Sequence, residues 1–263
     1  MYITGLCSIT FRKLSPVAII NLVEHAGLDA IEWGGDVHVP HGDLARAREV
    51  RAMTAAAGIR VSSYGSYYRV GHDAPVPFKA VLETARELGA PMIRVWAGRQ
   101  GSAQSDAASR ARVVAESRRI AAAAAAAGIG VSCEFHQGTL TDTNDSAVAL
   151  LREVAHANFG TYWQPAADMP PGARREGLTA LRPWLTNLHV YTWAGTERRA
   201  LREGAAEWKE YLRLAEAARP RVLLLEFARG DSPEAFLDDA RCLCEWVTGQ
   251  CPFRSDLPSA HRR

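Results

Sequence analysis

The chain has 263 residues, of which 48% are hydrophobic and 23% charged. That is the length of one α/β barrel, typically ~250 residues. With 31 basic against 29 acidic residues the formal charge is +2, which excludes a charge-driven nucleic-acid or anionic-membrane partner. No apolar run approaches the ~20 residues that span a bilayer, and no secretory leader pattern opens the chain. A cytoplasmic protein with reduced thiols is expected. Cys7, Cys133, Cys242, Cys244 and Cys251 include no C-x-x-C pair, and the C-x-C at Cys242 and Cys244 is a poor zinc motif.

From the N-terminus onward, strands are expected near 3–10, 30–34, 60–64, 92–96, 130–136, 160–164, 186–191 and 221–227. The intervening and closing helices are expected near 16–26, 43–57, 77–88, 106–127, 144–155, 174–181, 205–218 and 233–247. The pattern is a repeat, in which a helix-like stretch stops at Gly27, Gly58, Gly89 or Gly128 and a β-rich run follows at once. Glycine suits the left-handed position that ends a helix. Ser15-Pro16 and Ser232-Pro233 read as N-caps followed by proline in the first turn. The MPPGARREG stretch before the sixth helix reads as turn, and the alanine run at 121–127 as helix without a functional role. Eight βα units without a composition break argue for an α/β single (β/α)8 TIM barrel over 1–250, with an open sheet of six or seven strands as the alternative. The polar segment 251–263 is expected to be a loose C-terminal tail.

Working residues of such a barrel sit at the carboxyl ends of its strands. Glu226 follows the apolar run Arg-Val-Leu-Leu-Leu, where an unpaired carboxylate is costly, so it must be paired, hydrogen-bonded or metal-bound. Glu134 and His189 end the fifth and seventh strands in the same manner. Two carboxylates and an imidazole form an O/O/N set suited to one divalent ion. Singly, each residue is as well explained by an ion pair or a hydrogen bond at the rim; together, on three strands, they point to a metal.

With GLDAIEW at the second strand, the Glu134 of VSCEFH, the His189 of TNLHVYTW and the Glu226 of LLLEFARGDSPEAF, the chain resembles the xylose-isomerase-like barrels. More narrowly, it resembles the sugar phosphate isomerase/epimerase family. The resemblance implies one divalent metal held by Glu134, Gln164, His189 and Glu226, with manganese first and magnesium, cobalt or zinc as alternatives. Gln164 stands where the family has Asp, and Ala167 where it often has His; the family's Arg after the strand-seven His is absent, with Arg198 or Arg199 as substitutes. The resemblance also implies that Glu134 and Glu226 move the proton on opposite faces of the reacting carbon of a small polyhydroxylated substrate. The expected reaction is isomerisation or epimerisation of a sugar, sugar acid or cyclitol through an enediolate. A lyase, dehydratase or hydrolase on the same scaffold is the alternative, and a non-catalytic binding or partner subunit the second. Apurinic endonuclease chemistry is excluded, because its additional His and Asp ligands are missing.

His136 shares a face with Glu134, since side chains two apart in a strand point the same way. It is a candidate for binding a substrate hydroxyl or transferring a proton. Glu32, His38, His41 and His72 are placed on loops after the second and third strands, where the segment GGDVHVPHGD offers a wall or lid. Glu32, Trp33, Tyr64, Trp96, His136, Trp193 and Arg198 make up the expected substrate-binding set. A homo-oligomer is left open.

Overall fold

The computed structural model of the chain describes residues 1–72 and 76–249. The expected tail and Cys251 lie outside them. Eight parallel strands close into a barrel in the order β1 (Tyr2–Cys7), β10 (Arg221–Leu225), β7 (Leu185–Val190), β6 (Phe159–Trp163), β5 (Gly130–Glu134), β4 (Met92–Trp96), β3 (Arg60–Arg69) and β2 (Ala30–Gly34). Among the described residues the α-helices are α1 (Pro16–His25), α2 (Leu44–Ala56), α3 (Phe78–Leu88), α4 (Ala107–Ala126), α5 (Asn144–Val154), α6 (Pro171–Leu181), α7 (Ala205–Ala215) and α8 (Pro233–Thr248). Parallel strands joined by helices are covered on their outer faces, and their runs are accordingly continuous and apolar. None of the helices is long and apolar enough to cross a membrane.

Each stop glycine takes the left-handed conformation, with φ of 66° at Gly27, 70° at Gly58, 75° at Gly89 and 70° at Gly128. The Ser15 and Ser232 hydroxyls accept from the amides of Ala18 and Ala235, so both caps form as expected. The third helix shows how the outer layer is held. Phe78, Val81, Ala85 and Leu88 recur at helical spacing and are buried, each of the larger ones contributing about 1.5–3 kcal/mol.

Four differences from the sequence reading matter. The MPPGARREG stretch is helical from Pro171, because proline suits the first turn. The first strand ends at Cys7, and Ser8–Phe11 forms a 3-10 turn. The segment after β7 folds into a small antiparallel hairpin, β8 (Thr192–Ala194) with β9 (Glu197–Arg199), which turns at Gly195 with φ of 60°. Finally, β3 runs five residues past its expected end to Arg69. Its pairing with β4 steps from Gly65↔Arg94 to Tyr68↔Val95, leaving Ser66 and Tyr67 in a bulge. Tyr67 takes a φ of 54°, unusual for a bulky residue, and its ring is delivered to the barrel mouth.

Candidate active site

Strand register builds the centre from the floor up. Cys7 pairs with Glu32 across β1–β2, Glu32 with Ser63 across β2–β3, and Gly65 with Arg94 across β3–β4. The Ser63 hydroxyl therefore donates to Glu32 Oε2 at 2.8 Å, and the Cys7 thiol approaches Glu32 Oε1 at 3.3 Å. Arg94 Nε donates to Glu32 Oε1 at 2.8 Å, while its Nη1 is ion-paired to Glu134 Oε2. The same Glu134 oxygen accepts from Trp96 Nε1 at 2.5 Å. Glu32, Arg94 and Glu134 are all buried, forming a carboxylate–guanidinium–carboxylate triad with Glu32 fully enclosed. Burial by itself would raise the Glu32 carboxyl, but Arg94 and the hydrogen bonds outweigh it and hold its pKa at about 2. Glu134 lies well below the carboxylate range for the same balance of burial against Arg94 and His189.

Above the triad, three side-chain oxygens converge on one ring nitrogen. His189 Nδ1 lies 2.9 Å from Gln164 Oε1, 3.3 Å from Glu134 Oε1 and 3.3 Å from Glu226 Oε2. Burial opposes protonation of His189, yet Glu226, Glu134 and Glu32 together raise its pKa well above the usual imidazole value. Ligands bound at about 2.1 Å around one ion stand roughly 3.0–3.4 Å from one another, which is about the distance from Nδ1 to each of these oxygens. The charge suits such an ion too. Glu32, Glu134 and Glu226 against Arg94 leave two negative charges uncompensated when the imidazole is neutral. The donor set is thus chemically fit for one divalent ion, with Gln164 contributing a neutral oxygen.

A cavity of about 480 Å³ opens over this centre. Arg94, Glu134, Gln164 and Glu226 form its base, and Tyr67, Trp96, Phe135, His136, Tyr191, Trp193 and Phe227 its walls. Trp96 is stacked between His136, with centroids 4.7 Å apart and planes at 28°, and the Arg69 guanidinium at 4.0 Å. His136 Nδ1 lies 2.6 Å from the Gln137 carbonyl oxygen. A carbonyl oxygen only accepts, so Nδ1 carries the hydrogen and the lone pair of the neutral ring is on Nε2.

The structure thus brings together Glu134, Gln164, His189 and Glu226, and sets Trp96, His136 and Trp193 on the cavity wall. The remaining members of the expected substrate set lie elsewhere. Glu32 is inside β2, not on a loop, and is sealed beneath Arg94. Trp33 is buried and packs edge-on against His38 at 5.8 Å. The Tyr64 hydroxyl donates to the Val39 carbonyl at 2.7 Å and meets His41 Nδ1 at 2.7 Å. Arg198 ties the hairpin down by pairing with Asp231 at 2.5 Å and covering Phe227 at 4.8 Å. The histidines of GGDVHVPHGD form no wall, since His38 is buried on Ser8 and neither it nor His41 lines the cavity.

Two residues of the centre, Arg94 and Tyr67, have no site role in the sequence reading, although Arg94 is among the polar groups near the strand ends. Arg94 was visible as a cation inside the apolar strand Ile93–Val95, which already required a buried carboxylate partner. Tyr67 carried no comparable signal, because a bulge and a positive φ depend on neighbouring strands.

Gly65 is positioned by the same packing. A Cβ there would lie 2.8 Å from Arg94 Nη2 and 2.9 Å from Glu32 Oε1. Gly65→Ala is expected to destabilise the fold by about 1–3 kcal/mol through overpacking, measured by urea denaturation. An unchanged midpoint would mean that Arg94 is not wedged in place. A second expectation concerns acid. Glu32 titrates near 4.5 when unperturbed and near 2 in the fold. Its contribution to stability is complete above pH 4.5 and is lost as the pH falls toward 2. Glu32→Gln removes that part of the acid slope in a pH-dependent melting series.

Fold and centre together define a (β/α)8 barrel with a buried, carboxylate-rich centre at the carboxyl ends of its strands. The chain belongs to the xylose isomerase-like TIM barrel family, whose model matches residues 20–246. A 3-dehydroshikimate dehydratase of Bacillus anthracis is 27% identical over 204 residues, covering 70% of either chain. The crystal structure of the probable 3-DHS dehydratase AsbF from Bacillus anthracis superposes with a TM-score of 0.76 at 21% identity, over 92% of this chain and 98% of that one. A Mycobacterium smegmatis xylose isomerase-like barrel crystallised with magnesium gives 0.71 at 18% identity, over 95% and 97%. A D-psicose 3-epimerase from Clostridium cellulolyticum gives 0.67 at 17%, over 93% and 98%.

Proposed function

We propose that this protein is a divalent-metal-assisted dehydratase acting on a small, cyclic, polyhydroxylated carbonyl compound. The state of Glu134 carries the proposal. Epimerisation through two carboxylates needs a competent base on each face of the reacting carbon. Here Glu134 Oε2 is taken by Arg94 and Trp96, and its Oε1 faces His189. With both oxygens engaged, it is poorly placed to accept a proton from substrate. Elimination needs only one base, and the cavity offers His136 with Nε2 free to act.

Glu134, Gln164, His189 and Glu226 would hold the cation, which when bound supplies Lewis-acid polarisation of substrate oxygens worth several kcal/mol. Trp96, Tyr67, Trp193 and Phe227 enclose a flat, partly apolar ring better than an open chain that needs a hydrogen bond for every hydroxyl. His136 Nε2 removes the hydrogen beside the carbonyl, and the imidazolium returns it to the departing hydroxyl. One C–H and one C–O bond break, a C=C bond forms and water leaves. The Bacillus anthracis relative, named a 3-dehydroshikimate dehydratase, supports elimination as the outcome.

The test is proton NMR in D2O with metal-loaded protein and a panel of cyclic hydroxy-ketones, hydroxy-acids and free ketoses. Loss of water with growth of alkene signals, abolished by a chelator and restored by Mn²⁺ or Mg²⁺, is the expected result. Deuterium incorporation at an α-carbon with unchanged formula identifies an isomerase or epimerase instead. A protein that retains no divalent metal and turns over nothing is a binding or partner subunit.

A further inference from the structure

His189 has two nitrogens, and the centre described above uses only Nδ1. Its Nε2 is buried without a hydrogen-bond partner, on a side chain that is 0% exposed. An orphaned ring nitrogen at such depth is costly, and a bound ion is one of the few things that satisfies it. On that side Glu32 Oε1 lies 3.7 Å from Nε2 and 3.3 Å from the Cys7 sulfur. Cys7 Sγ, a His189 nitrogen and a Glu226 oxygen also fall within 4.8 Å of one another. Donor atoms around a tetrahedral zinc, at bonds of about 2.0–2.3 Å, stand roughly 3.3–3.7 Å apart.

We propose that Cys7, His189 and Glu226 form a thiolate-containing site on the barrel floor that takes borderline or soft divalent cations such as Zn²⁺, Co²⁺ and Cd²⁺. It shares His189 and Glu226 with the oxygen-rich Glu134–Gln164–Glu226 side, which suits Mg²⁺ or Mn²⁺. The proposal rests on the reading that His189 and Glu226 face a cation. Softness sorts the ions between the two positions. Thiolate sulfur selects zinc-like metals, whereas carboxylate and amide oxygens select hard ones. Gln164 sharpens the contrast, because a neutral amide weakens the hard side by one charge. Binding displaces the thiol proton to solvent and forms the sulfur–metal bond with no change of oxidation state. His189 and Glu226 belong to both positions, so an ion on the floor excludes one above, and zinc acts as an inhibitor of the magnesium or manganese form.

Absorption spectroscopy of the metal-stripped full chain titrated with Co²⁺ tests this independently of activity. The expected result is a thiolate-to-cobalt charge-transfer band in the near ultraviolet, absent in Cys7→Ser, which still binds Co²⁺ through its visible d–d bands. Zn²⁺ affinity of Cys7→Ser, from competition with a chromophoric chelator, should fall at least about tenfold while Mn²⁺ affinity holds. Co²⁺ binding to the unaltered chain with no charge-transfer band overturns the Cys7 site and leaves the oxygen-rich centre standing. Absence of any Co²⁺ binding, with the far-ultraviolet circular dichroism intact, overturns both readings.

Discussion

Arg94→Met is expected to cost about 3–5 kcal/mol of folding stability, enough to unfold a marginal protein at physiological temperature. The guanidinium holds Glu32 and Glu134 at once, and all three side chains are buried. Removing it leaves two buried carboxylates without the cation they share, the costly half of any buried ion pair. Urea denaturation at neutral pH reads the loss. The double variant Arg94→Met, Glu32→Gln should recover part of it, because one of the stranded charges is gone, and a coupling energy near zero between the two sites would sink the account. Acid should likewise narrow the gap between the Arg94→Met variant and the parent protein, since protonation neutralises the carboxylates that the variant strands.

The second large effect is on turnover. His136→Asn keeps a donor for the Gln137 carbonyl but lacks a lone pair in the place of Nε2. If the imidazole carries the proton, kcat falls about 10²–10⁴-fold while KM changes little. Metal affinity should be unaltered, because His136 is stacked on Trp96 and lies outside the oxygen–nitrogen cluster. Glu226→Gln is the contrasting variant. It lies 3.3 Å from His189 Nδ1 on the cavity wall, so its loss is expected to lower metal affinity and kcat together. Equal behaviour of the two variants would remove the separate role given to His136.

The surroundings of the carboxylates are what lead from the isomerisation or epimerisation expected of the sequence to the elimination proposed above. Glu134 and Glu226 look alike at two strand ends. Only the register of β3, β4 and β5 shows that one of them is clamped by Arg94 and Trp96 while the other has no such pair of donors. Basicity is a property of surroundings, and the surroundings of Glu134 are assembled from residues 38 and 40 positions away in the chain. The same holds for Glu32, which a strand-end position marks as functional and the tertiary structure turns into a buried support for Arg94.

What sequence alone determined is the architecture and the ionisable residues that close its strands. Stop glycines, serine–proline caps and alternating helix and strand patterns are local signals, written within a few residues of where they act, and the ionisable groups closing apolar strands follow from the cost of burying charge. Tertiary structure alone decided which of those groups converge, which are neutralised by a neighbour, and that Tyr67 and the 192–199 hairpin line the cavity. Those outcomes depend on strand register and on a bulge in β3, and register is set by contacts between segments that the linear order keeps far apart.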